Sequence, residues 1–341
     1  MSLPQSKPAA LVTGAAGFIG SHVVRSLLAL NRVHVVALDD LSGGFVQNVA
    51  EGATFIEGSV CDDRLVSELF DKHRFRYVYH LAAYAAEGLS HFIRRFNYTN
   101  NVIGSINLIN ESVRHDVGCF VFTSSIAVYG AVPPPMREDQ TPHPEDPYGI
   151  AKFAVELDLA SARSMFGLRS VIFRPHNVYG EYQNLGDPYR NVIGIFMNQI
   201  MSGKPMRIFG DGQQQRAFSY VGDISPIIAE SPWVAGAVDE TFNLGADTAY
   251  TVSALAQHVA DAMGVPGHPV EHVAARNEVV VAYSDHSKAH RVFGHRSETA
   301  LPEGLAKMAR WAREVGVQSA TPFAGIEVDR NLPPSWGKVD R

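Results

Sequence analysis

A chain of 341 residues with 46% hydrophobic and 19% charged residues can bury a full core, and this composition is ordinary for a globular enzyme. Its formal net charge of −6 excludes a broad basic field, so we expect no nucleic-acid partner. No apolar run reaches membrane-spanning length, and no basic region followed by an apolar one opens the chain, so we expect a cytoplasmic protein with no membrane partner.

The two cysteines, Cys61 and Cys119, do not form a C-x-x-C pair. Cys119 lies in a strand-like run at 119–122, where a buried and inert thiol is expected. We therefore expect a reduced environment and assign no metal ligands.

The first predicted element, after a lead-in at 1–8, is a strand at 9–12 that runs into Gly14, Gly17 and Gly20 and then into a helical pattern. The first glycine permits a tight turn, the second lets backbone N–H groups approach phosphates, and the third lets helix and strand pack closely. The helix N-terminus adds partial positive charge. This order of elements predicts a nucleotide pyrophosphate site, with a simple tight turn as the alternative.

An acidic pair, Asp39-Asp40, ends the second apolar run at 33–38. An acid about 20 residues past such a glycine turn typically bonds the adenosine ribose hydroxyls, and its carboxylate would repel a 2′-phosphate. The pair therefore favours NAD over NADP as the cofactor. The alternative is an aspartate that merely ends a strand.

Strands and helices continue to alternate through the first half of the chain. The further predicted strands lie at 55–56, 77–81, 120–122 and 171–173. The predicted helices between them are one begun by Asp62-Asp63, one through residues 101–113, and one begun by Asp146 as N-cap and Pro147 as first helical residue. Such alternation predicts a parallel sheet covered on both faces.

The pattern loosens after residue 175, where we expect helices at 192–201, 251–263 and 305–315 and a strand at 242–244 that returns to the main sheet. The predicted fold class is α/β, a Rossmann doubly wound parallel sheet with a smaller, mixed α/β substrate-binding lobe. The predicted domains are 1–175 with 224–263 for NAD, 176–223 with 264–316 for substrate, and a tail at 317–341 that drapes on the surface or reaches a partner subunit.

Tyr148 and Lys152 are four residues apart on the predicted helix, so they share one face. A phenol is a poor base at neutral pH, and a nearby ammonium together with a positive nicotinamide ring would favour its phenolate. Ser125, at the end of the neighbouring strand, can hydrogen-bond the same substrate hydroxyl. These groups predict removal of a proton from an alcohol while its hydride leaves for the cofactor.

Seven motifs together resemble the nucleotide-sugar epimerase/dehydratase family of extended short-chain dehydrogenases/reductases. They are TGAAGFIG (13–20), YHLAA (79–83), SSIAVYG (124–130), YGIAK (148–152), RPHNVYG (174–180), IFGDG (208–212) and RAFSYVGD (216–223). The resemblance covers roughly residues 8–315. It implies that Tyr148 is the catalytic base, Lys152 its partner and a ribose ligand, and Ser125 the hydroxyl clamp.

The resemblance also implies ligands for the cofactor and the substrate. The expected NAD contacts are Gly14, Gly17, Phe18, Ile19, Gly20, Asp39, Asp40, Ser59, Val60, Leu81, Ala82, Ala83, Asn101, Thr123, Tyr148, Lys152 and Val178. The expected nucleotide-sugar contacts are Ser125, Tyr148, Asn177, Asn191, Arg216, Arg276 and Tyr283. Guanidinium and amide donors suit a diphosphate, although Arg276 is equally compatible with a solvated surface arginine.

Three places depart from the family pattern or leave a role open. Ser59 stands where the family often has Asp, which weakens the expected adenine contact. The stretch at 84–91 is unusual for the family and is expected near the sugar, where Glu87 is either a loop carboxylate or a reader of a sugar hydroxyl. His176 is either a packed histidine or an additional acid/base.

The positions after the catalytic hydroxyl bear on the reaction. Dehydratases of the family place an Asp-Glu pair there, and decarboxylases a Glu, whereas this chain has Ile126 and Ala127, which can move no proton. The resemblance therefore implies an NAD-dependent nucleotide-sugar 4-epimerase that oxidises C4, lets the 4-keto sugar turn about its diphosphate link, and returns the hydride to the other face. UDP-glucose/UDP-galactose is the first pair to expect.

Alternatives remain open at this stage. One is an epimerase of a UDP-uronate, a UDP-N-acetylhexosamine or a GDP-sugar, or a nucleotide-sugar 4-ketoreductase. A remote one is a non-catalytic NAD-binding protein, although such chains usually lose the tyrosine or the lysine. By analogy with the family we expect a homodimer built on helices at 92–115 and 148–166.

Overall fold

The computed structural model describes residues 7–275, 280–294, 299–320, 323–333 and Trp336. In chain order the strands are β1 (Ala9–Thr13), β2 (His34–Asp39), β3 (Thr54–Glu57), β4 (Tyr77–His80), β5 (Cys119–Thr123), β6 (Ser170–Pro175), β7 (Val178–Tyr179), β8 (Met206–Phe209), β9 (Gln215–Ala217), β10 (Ser219–Tyr220), β11 (Thr241–Leu244), β12 (Ala249–Thr251), β13 (Val270–Val273) and β14 (Val281–Ala282).

The α-helices are α1 (Phe18–Leu30), α2 (Asp63–His73), α3 (Glu87–Ser90), α4 (Arg94–Tyr98), α5 (Gly104–Arg114), α6 (Pro147–Phe166), α7 (Val192–Met201), α8 (Val221–Glu230), α9 (Val252–Ala262), α10 (Ser287–Phe293) and α11 (Leu301–Val315). A π-helical turn, Thr99–Ile103, joins α4 to α5, and 3-10 turns lie at Val46–Asn48, Ile126–Tyr129 and Ser231–Trp233. None of the described helices is long and apolar enough to cross a membrane.

Seven parallel strands form the main sheet in the order β11-β6-β5-β4-β1-β2-β3. Alternate residues of each strand face opposite sides: Val12 packs with α1, α8 and α10, whereas its neighbour Leu11 packs with α2, α5 and α6. The predicted doubly wound α/β fold and the return of the 242–244 strand are confirmed. The strand order reverses between β1 and β4, and ligands of such sheets bind beyond the carboxyl ends at that reversal.

The predicted helix starts are confirmed by their caps. Asp62 accepts a hydrogen bond from the Leu65 N–H at 3.0 Å at the start of α2. Asp146 accepts one from the Gly149 N–H at 2.9 Å, with proline as the next residue, at the start of α6. The cap of α6 places Tyr148 in its first turn.

A second core fills the smaller lobe, where α7, α9 and α11 pack together beside β8. The packing differs from the predicted domain boundary, because α9 lies in this core whereas α10 packs against the main sheet. An amphipathic pattern shows that a helix buries one face but does not identify the sheet or helix that it faces. Short sheets, with the orders β12-β9-β14, β10-β7 and β13-β8, complete the lobe.

Candidate active site

The glycine turn between β1 and α1 has no room for side chains. Gly14 has φ +70°, and a Cβ on Gly20 would lie 2.0 Å from the Gly14 carbonyl oxygen. Gly17 is the N-cap of α1 and supplies no capping side chain, so the first N–H groups of the helix, from Phe18 and Ile19 onwards, remain available to an anion. The turn is therefore shaped as a phosphate cradle.

The acidic pair at the end of β2 lies against this turn. Asp39 is buried and its carboxylate accepts hydrogen bonds from the N–H groups of Ala16 at 2.9 Å and Leu41 at 2.8 Å. Burial raises the pKa of Asp39, and the backbone hydrogen bonds oppose that change. Asp40 is exposed beside it and accepts a hydrogen bond from the Ser42 N–H. Asp39 thus orders the phosphate cradle, while Asp40 presents a carboxylate at its outer edge.

The end of β4 forms the floor of the cleft. The Leu81 N–H donates to the Thr13 carbonyl at 3.2 Å, and a Cβ on Gly14 would lie 2.7 Å from the Ala82 nitrogen. Ala82 and Ala83 have small side chains, so the space beyond the carboxyl ends of β1 and β4 is open to a flat ligand. Beneath them, burial lowers the pKa of His80 to about 3.

Tyr148, Lys152 and Ser125 come together at the carboxyl end of β5. Tyr148 and Lys152 are buried on one face of α6, and the Ser125 hydroxyl hydrogen-bonds the Tyr148 phenol. The Lys152 ammonium donates to the Thr123 carbonyl at 2.8 Å and lies 5.9 Å from the centre of the Tyr148 ring. The structure therefore assembles a phenol, a hydroxyl and an amine in one pocket.

Burial dominates the electrostatics of this pocket. Burial raises the pKa of Tyr148 well above its ordinary value, while Ser125 and the charge of Arg190 lower it. Burial also lowers the pKa of Lys152 to about 7, opposed by Glu156, so the amine carries less positive charge near neutral pH. In the protein alone the phenol is held protonated, and it becomes a base only when further positive charge enters the pocket.

The pocket also retains an unused polar atom. Among the described residues, the Thr123 hydroxyl oxygen is buried and has no hydrogen-bond partner, and it belongs to the residue whose carbonyl holds Lys152. A buried hydroxyl without a partner costs free energy unless a ligand satisfies it. The phosphate cradle, the open floor and this hydroxyl lie along one sheet edge, and they fit a dinucleotide that spans from Asp40 to Lys152.

The remaining predicted cofactor residues are Ser59, Val60, Asn101 and Val178. The Ser59 hydroxyl accepts a hydrogen bond from the Cys61 N–H, and Val60 packs on Gly104 at the start of α5. Asn101, in the π-helical turn, accepts from the Tyr84 N–H at 2.8 Å and donates to the Tyr84 carbonyl, so it holds the irregular segment after the cleft floor. Val178 is buried in β7.

The opposite wall of the cleft carries the predicted substrate residues. Arg216 on β9 pairs in register with Ala282 on β14, so Tyr283 follows directly beside it. Asn177 donates its side-chain amide to the Ala217 carbonyl at 3.1 Å, and Asn191 is the N-cap of α7. These four residues come from separate segments of the lobe, and the predicted ligand Arg276 lies outside the described residues.

Sequence reasoning missed a buried ionic network behind α6. Glu156 accepts hydrogen bonds from Arg174 at 3.0 Å and from the Ser124 hydroxyl at 2.5 Å, and Arg174 also donates to Tyr129 at 2.7 Å. This network ties α6, β5 and β6 together directly behind Lys152. The available signal was spacing, because Tyr148, Lys152 and Glu156 follow one another at intervals of four residues on one helix face.

A pair of buried histidines was also missed. The imidazole nitrogens of His176 and His286 lie 3.0 Å apart, and the other nitrogen of His286 lies 2.6 Å from Asp247. His176 also contacts the Ala217 carbonyl at 3.2 Å, the same oxygen that holds Asn177. Burial, helped by His286, lowers the pKa of His176 to about 3, so it is neutral and packed.

The tail lies on the unusual segment next to the catalytic pocket. Trp336 is buried against Phe92 and Tyr189, and the Glu327 carboxylate accepts hydrogen bonds from two N–H groups at the start of α4, each at 2.8 Å. The Ser90 hydroxyl, at the end of α3, accepts from the Tyr148 N–H at 3.2 Å. The described part of the tail therefore covers one side of the site, and Glu87 is exposed on the same segment.

The sequence matches a family model and is similar to known proteins along most of its length. Residues 10–245 match the family model described as the NAD dependent epimerase/dehydratase family. A UDP-glucose 4-epimerase of Mycolicibacterium smegmatis is 34% identical over 312 residues, which are 89% of this chain and 98% of that protein. A dTDP-glucose 4,6-dehydratase of Streptomyces niveus is 30% identical over 317 residues, which are 89% of this chain and 92% of that protein.

Among solved structures, the UDP-glucose 4-epimerase of Thermotoga maritima with UDP-glucose superposes with a TM-score of 0.83 and 34% identity. The superposition covers 90% of this chain and 99% of that one. The similarity extends over both the sheet domain and the smaller lobe.

Proposed function

This chain belongs to the NAD dependent epimerase/dehydratase family, and we propose that it is an NAD-dependent nucleotide-sugar 4-epimerase that interconverts UDP-glucose and UDP-galactose. The observation that carries the proposal is the complete Ser125, Tyr148 and Lys152 constellation, with the apolar residues Ile126 and Ala127 at the two positions after Ser125.

The relatives include both 4-epimerases and 4,6-dehydratases, so the side chains after Ser125 decide between the two reactions. Elimination needs a proton donor and a proton acceptor close to C5 and C6 of the sugar. Ile126 and Ala127 occupy the 3-10 turn that Ser125 caps, and neither carries a titratable group. Epimerisation at C4 needs only the groups that are present.

Our mechanism assigns the proton steps to this chain. Bound NAD would supply the hydride acceptor for C4 and return the hydride to the other face. Tyr148, as the phenolate, takes the proton of the C4 hydroxyl and becomes a neutral phenol, while Ser125 hydrogen-bonds the same oxygen. Lys152, on the same helix face, stabilises the phenolate before this transfer. When the hydride returns, Tyr148 gives the proton back to the C4 oxygen. The ionic network of Glu156 behind Lys152 keeps the amine in place.

The lobe wall would hold the part of the substrate that does not react. Asn177, Asn191 and Arg216 are proposed to bind the diphosphate, with Tyr283 at the side of the sugar. Holding the diphosphate while the pyranose is free to turn is what allows both faces of C4 to meet the cofactor. The donors on this wall suit a diphosphate because amide and guanidinium groups make charge-assisted hydrogen bonds.

The test is incubation of the pure protein with UDP-galactose without added cofactor, followed by anion-exchange separation of the nucleotide sugars. We expect drift towards a glucose-rich mixture with no net release of NADH. If UDP-galactose stays intact while NAD is found in the denatured protein, the substrate assignment is wrong. UDP-uronates, UDP-N-acetylhexosamines and GDP-sugars are then tested as substrates in the same assay. A requirement for external NADH would instead indicate a 4-ketoreductase. If the protein neither contains nor binds NAD, the proposal fails altogether.

We further propose that the chain forms a homodimer through α5 and α6. Large apolar side chains are exposed along this side, including Ile150 at 40%, Leu157 at 57% and Ile103 at 52%. Ile150 and Leu157 are seven residues apart and share a helix face. Light scattering after size exclusion should give twice the mass of the chain, and L157E should shift it towards the monomer; a monomeric wild-type protein contradicts this proposal.

A further inference from the structure

Arg190 is a lobe residue that reaches across the cleft to the cofactor side. Its guanidinium carbon lies 5.0 Å from the centre of the Tyr84 ring, and a Cβ on Gly43 would lie 3.6 Å from its Nη2 atom. Gly43 precedes Gly44, which packs on the backbone of Ala16 and Gly17. Arg190 belongs to the loop before α7, and it therefore lies next to the segment that packs on the phosphate cradle.

The guanidinium is held on one side only. Asp187 is buried and accepts a hydrogen bond from the Arg190 Nε–H at 2.5 Å, and Nη2 of the same arginine contacts the same carboxylate oxygen. The Arg190 Nη1 group donates no hydrogen bond within the part of the chain that the structure describes. A guanidinium with one edge fixed by a carboxylate can present its remaining N–H groups to a phosphate in a defined orientation.

The surrounding loop is anchored so that this orientation persists. The Asp187 carboxylate also accepts from the Tyr189 N–H at 2.8 Å, and the Tyr189 hydroxyl accepts from the Phe323 N–H in the tail at 2.9 Å. On the other side Tyr84 is pinned through its backbone by Asn101. Both neighbours of the guanidinium are therefore fixed by groups other than a ligand.

We propose that Arg190 binds the pyrophosphate of the dinucleotide from the substrate lobe and so closes the phosphate cradle over it. The position favours this anion over the diphosphate of the sugar nucleotide, because Arg190 lies beside Gly43, whose neighbour Gly44 packs on the 16–17 backbone of the cradle. Arg216, proposed for the sugar nucleotide, lies instead on β9 in the lobe sheet. The interaction slows release of the cofactor, which an epimerase must keep between its two hydride transfers.

The experiment measures NAD and NADH binding to the full-length protein in the absence of any nucleotide sugar. R190Q removes the charge and should weaken dinucleotide affinity about ten- to hundredfold, the range for losing a hydrogen bond to a charged group. R190K keeps the charge without the planar fork and should lose less. R207Q is the matched control, because Arg207 is a lobe arginine paired with Glu271 at 2.8 Å on the exposed side.

UDP binding is measured in parallel, and it should stay within about twofold of wild type in R190Q. Unchanged NAD affinity in R190Q and R190K overturns the inference, and unchanged NAD affinity with weakened UDP binding assigns Arg190 to the substrate instead. A wild-type protein that binds no dinucleotide would contradict the proposed function as well. Thermal unfolding of each variant shows whether it folds. If R190Q has a folding defect, the NAD affinity of R190K decides whether the inference holds.

Discussion

The two walls of the cleft are built in different ways. The sheet wall consists of long parallel strands and helices whose backbones touch, so that a Cβ on Gly20 would lie 2.0 Å from a carbonyl oxygen. The lobe wall consists of loops and short strands, and Asn177 and Asn191 adopt left-handed backbone conformations with φ of 40° and 62°. In our proposal the sheet wall holds the proton-transfer residues, and the loop-built wall holds the groups that bind the nucleotide sugar.

The largest effect is expected for the base on the sheet wall. Y148F should lower kcat by at least about a hundred- to ten-thousandfold, because the proton of the C4 hydroxyl loses its acceptor. NAD should still bind, since the phosphate cradle is untouched. Y98F, on the neighbouring α4, is the control and should keep its activity. Full turnover by Y148F would contradict the mechanism.

The next largest effect tests the tight packing of the sheet wall. G20A should weaken NAD binding and lower the free energy of unfolding by about 1–3 kcal/mol. The reason is that the new Cβ meets backbone that cannot move aside. G194A in α7 of the lobe is the matched control, because there the new Cβ makes an ordinary contact of 3.4 Å. NAD titration and thermal unfolding are measured for both variants. If G20A and G194A lose the same NAD affinity and the same stability, the proposed difference in packing between the two walls is wrong.

A change on the lobe wall should affect the substrate alone. R216A is expected to raise KM for the nucleotide sugar about ten- to hundredfold through loss of a charge-assisted contact with the diphosphate. NAD affinity should stay unchanged, because Arg216 lies on β9 and not on the cofactor track. Steady-state kinetics measure KM for the nucleotide sugar, and a dinucleotide titration measures NAD affinity. A loss of NAD affinity in R216A would contradict the assignment of cofactor and substrate to different walls.

At neutral pH the smallest effect is expected for one buried histidine on each wall, because its contribution to stability changes only when the pH falls. Burial lowers the folded-state pKa values of His80 and His176 to about 3, below the unfolded value of about 6.5. The unfolded chain binds these protons first, so the stability contribution is full above pH 6.5 and is lost as pH falls towards 3. Each histidine adds a slope of up to about 1.4 kcal/mol per pH unit within that window.

Urea unfolding at several pH values measures this slope. H80Q and H176Q should each make stability less dependent on pH between about 3 and 6.5. His258 of α9, which is half-buried against the Tyr250 ring, serves as the control position through H258Q. An unchanged slope in H176Q would mean that this histidine is not held neutral in the folded protein.

The sheet wall could be predicted from the sequence because local signals define it. The glycine spacing, the caps at Asp62 and Asp146, and the four-residue interval from Tyr148 to Lys152 all act within one or two elements. Even there the buried network of Glu156 was missed, because its partner Arg174 comes from a strand that only the fold brings near.

The lobe wall could be predicted only in part. Asn177 and Arg216 lie in family motifs, and Tyr283 is implied by the family resemblance alone. Arg190 and Asp187 lie in a polar loop without periodicity, and their positions depend on contacts with the tail and with Tyr84. The pairing of His176 with His286 joins residues that are 110 positions apart. Contacts of this kind are decided by tertiary packing, which short sequence patterns do not record.

The most direct test of the central claim follows a label at C4. UDP-galactose carrying deuterium at C4 is incubated with the protein in ordinary water, and the UDP-glucose that forms is examined by mass spectrometry and NMR. The account predicts that the product retains the deuterium at C4, because Tyr148 exchanges only the hydroxyl proton and the carbon-bound hydrogen returns as a hydride. Loss of the deuterium to solvent would contradict it, because the C4 hydrogen would then leave as a proton.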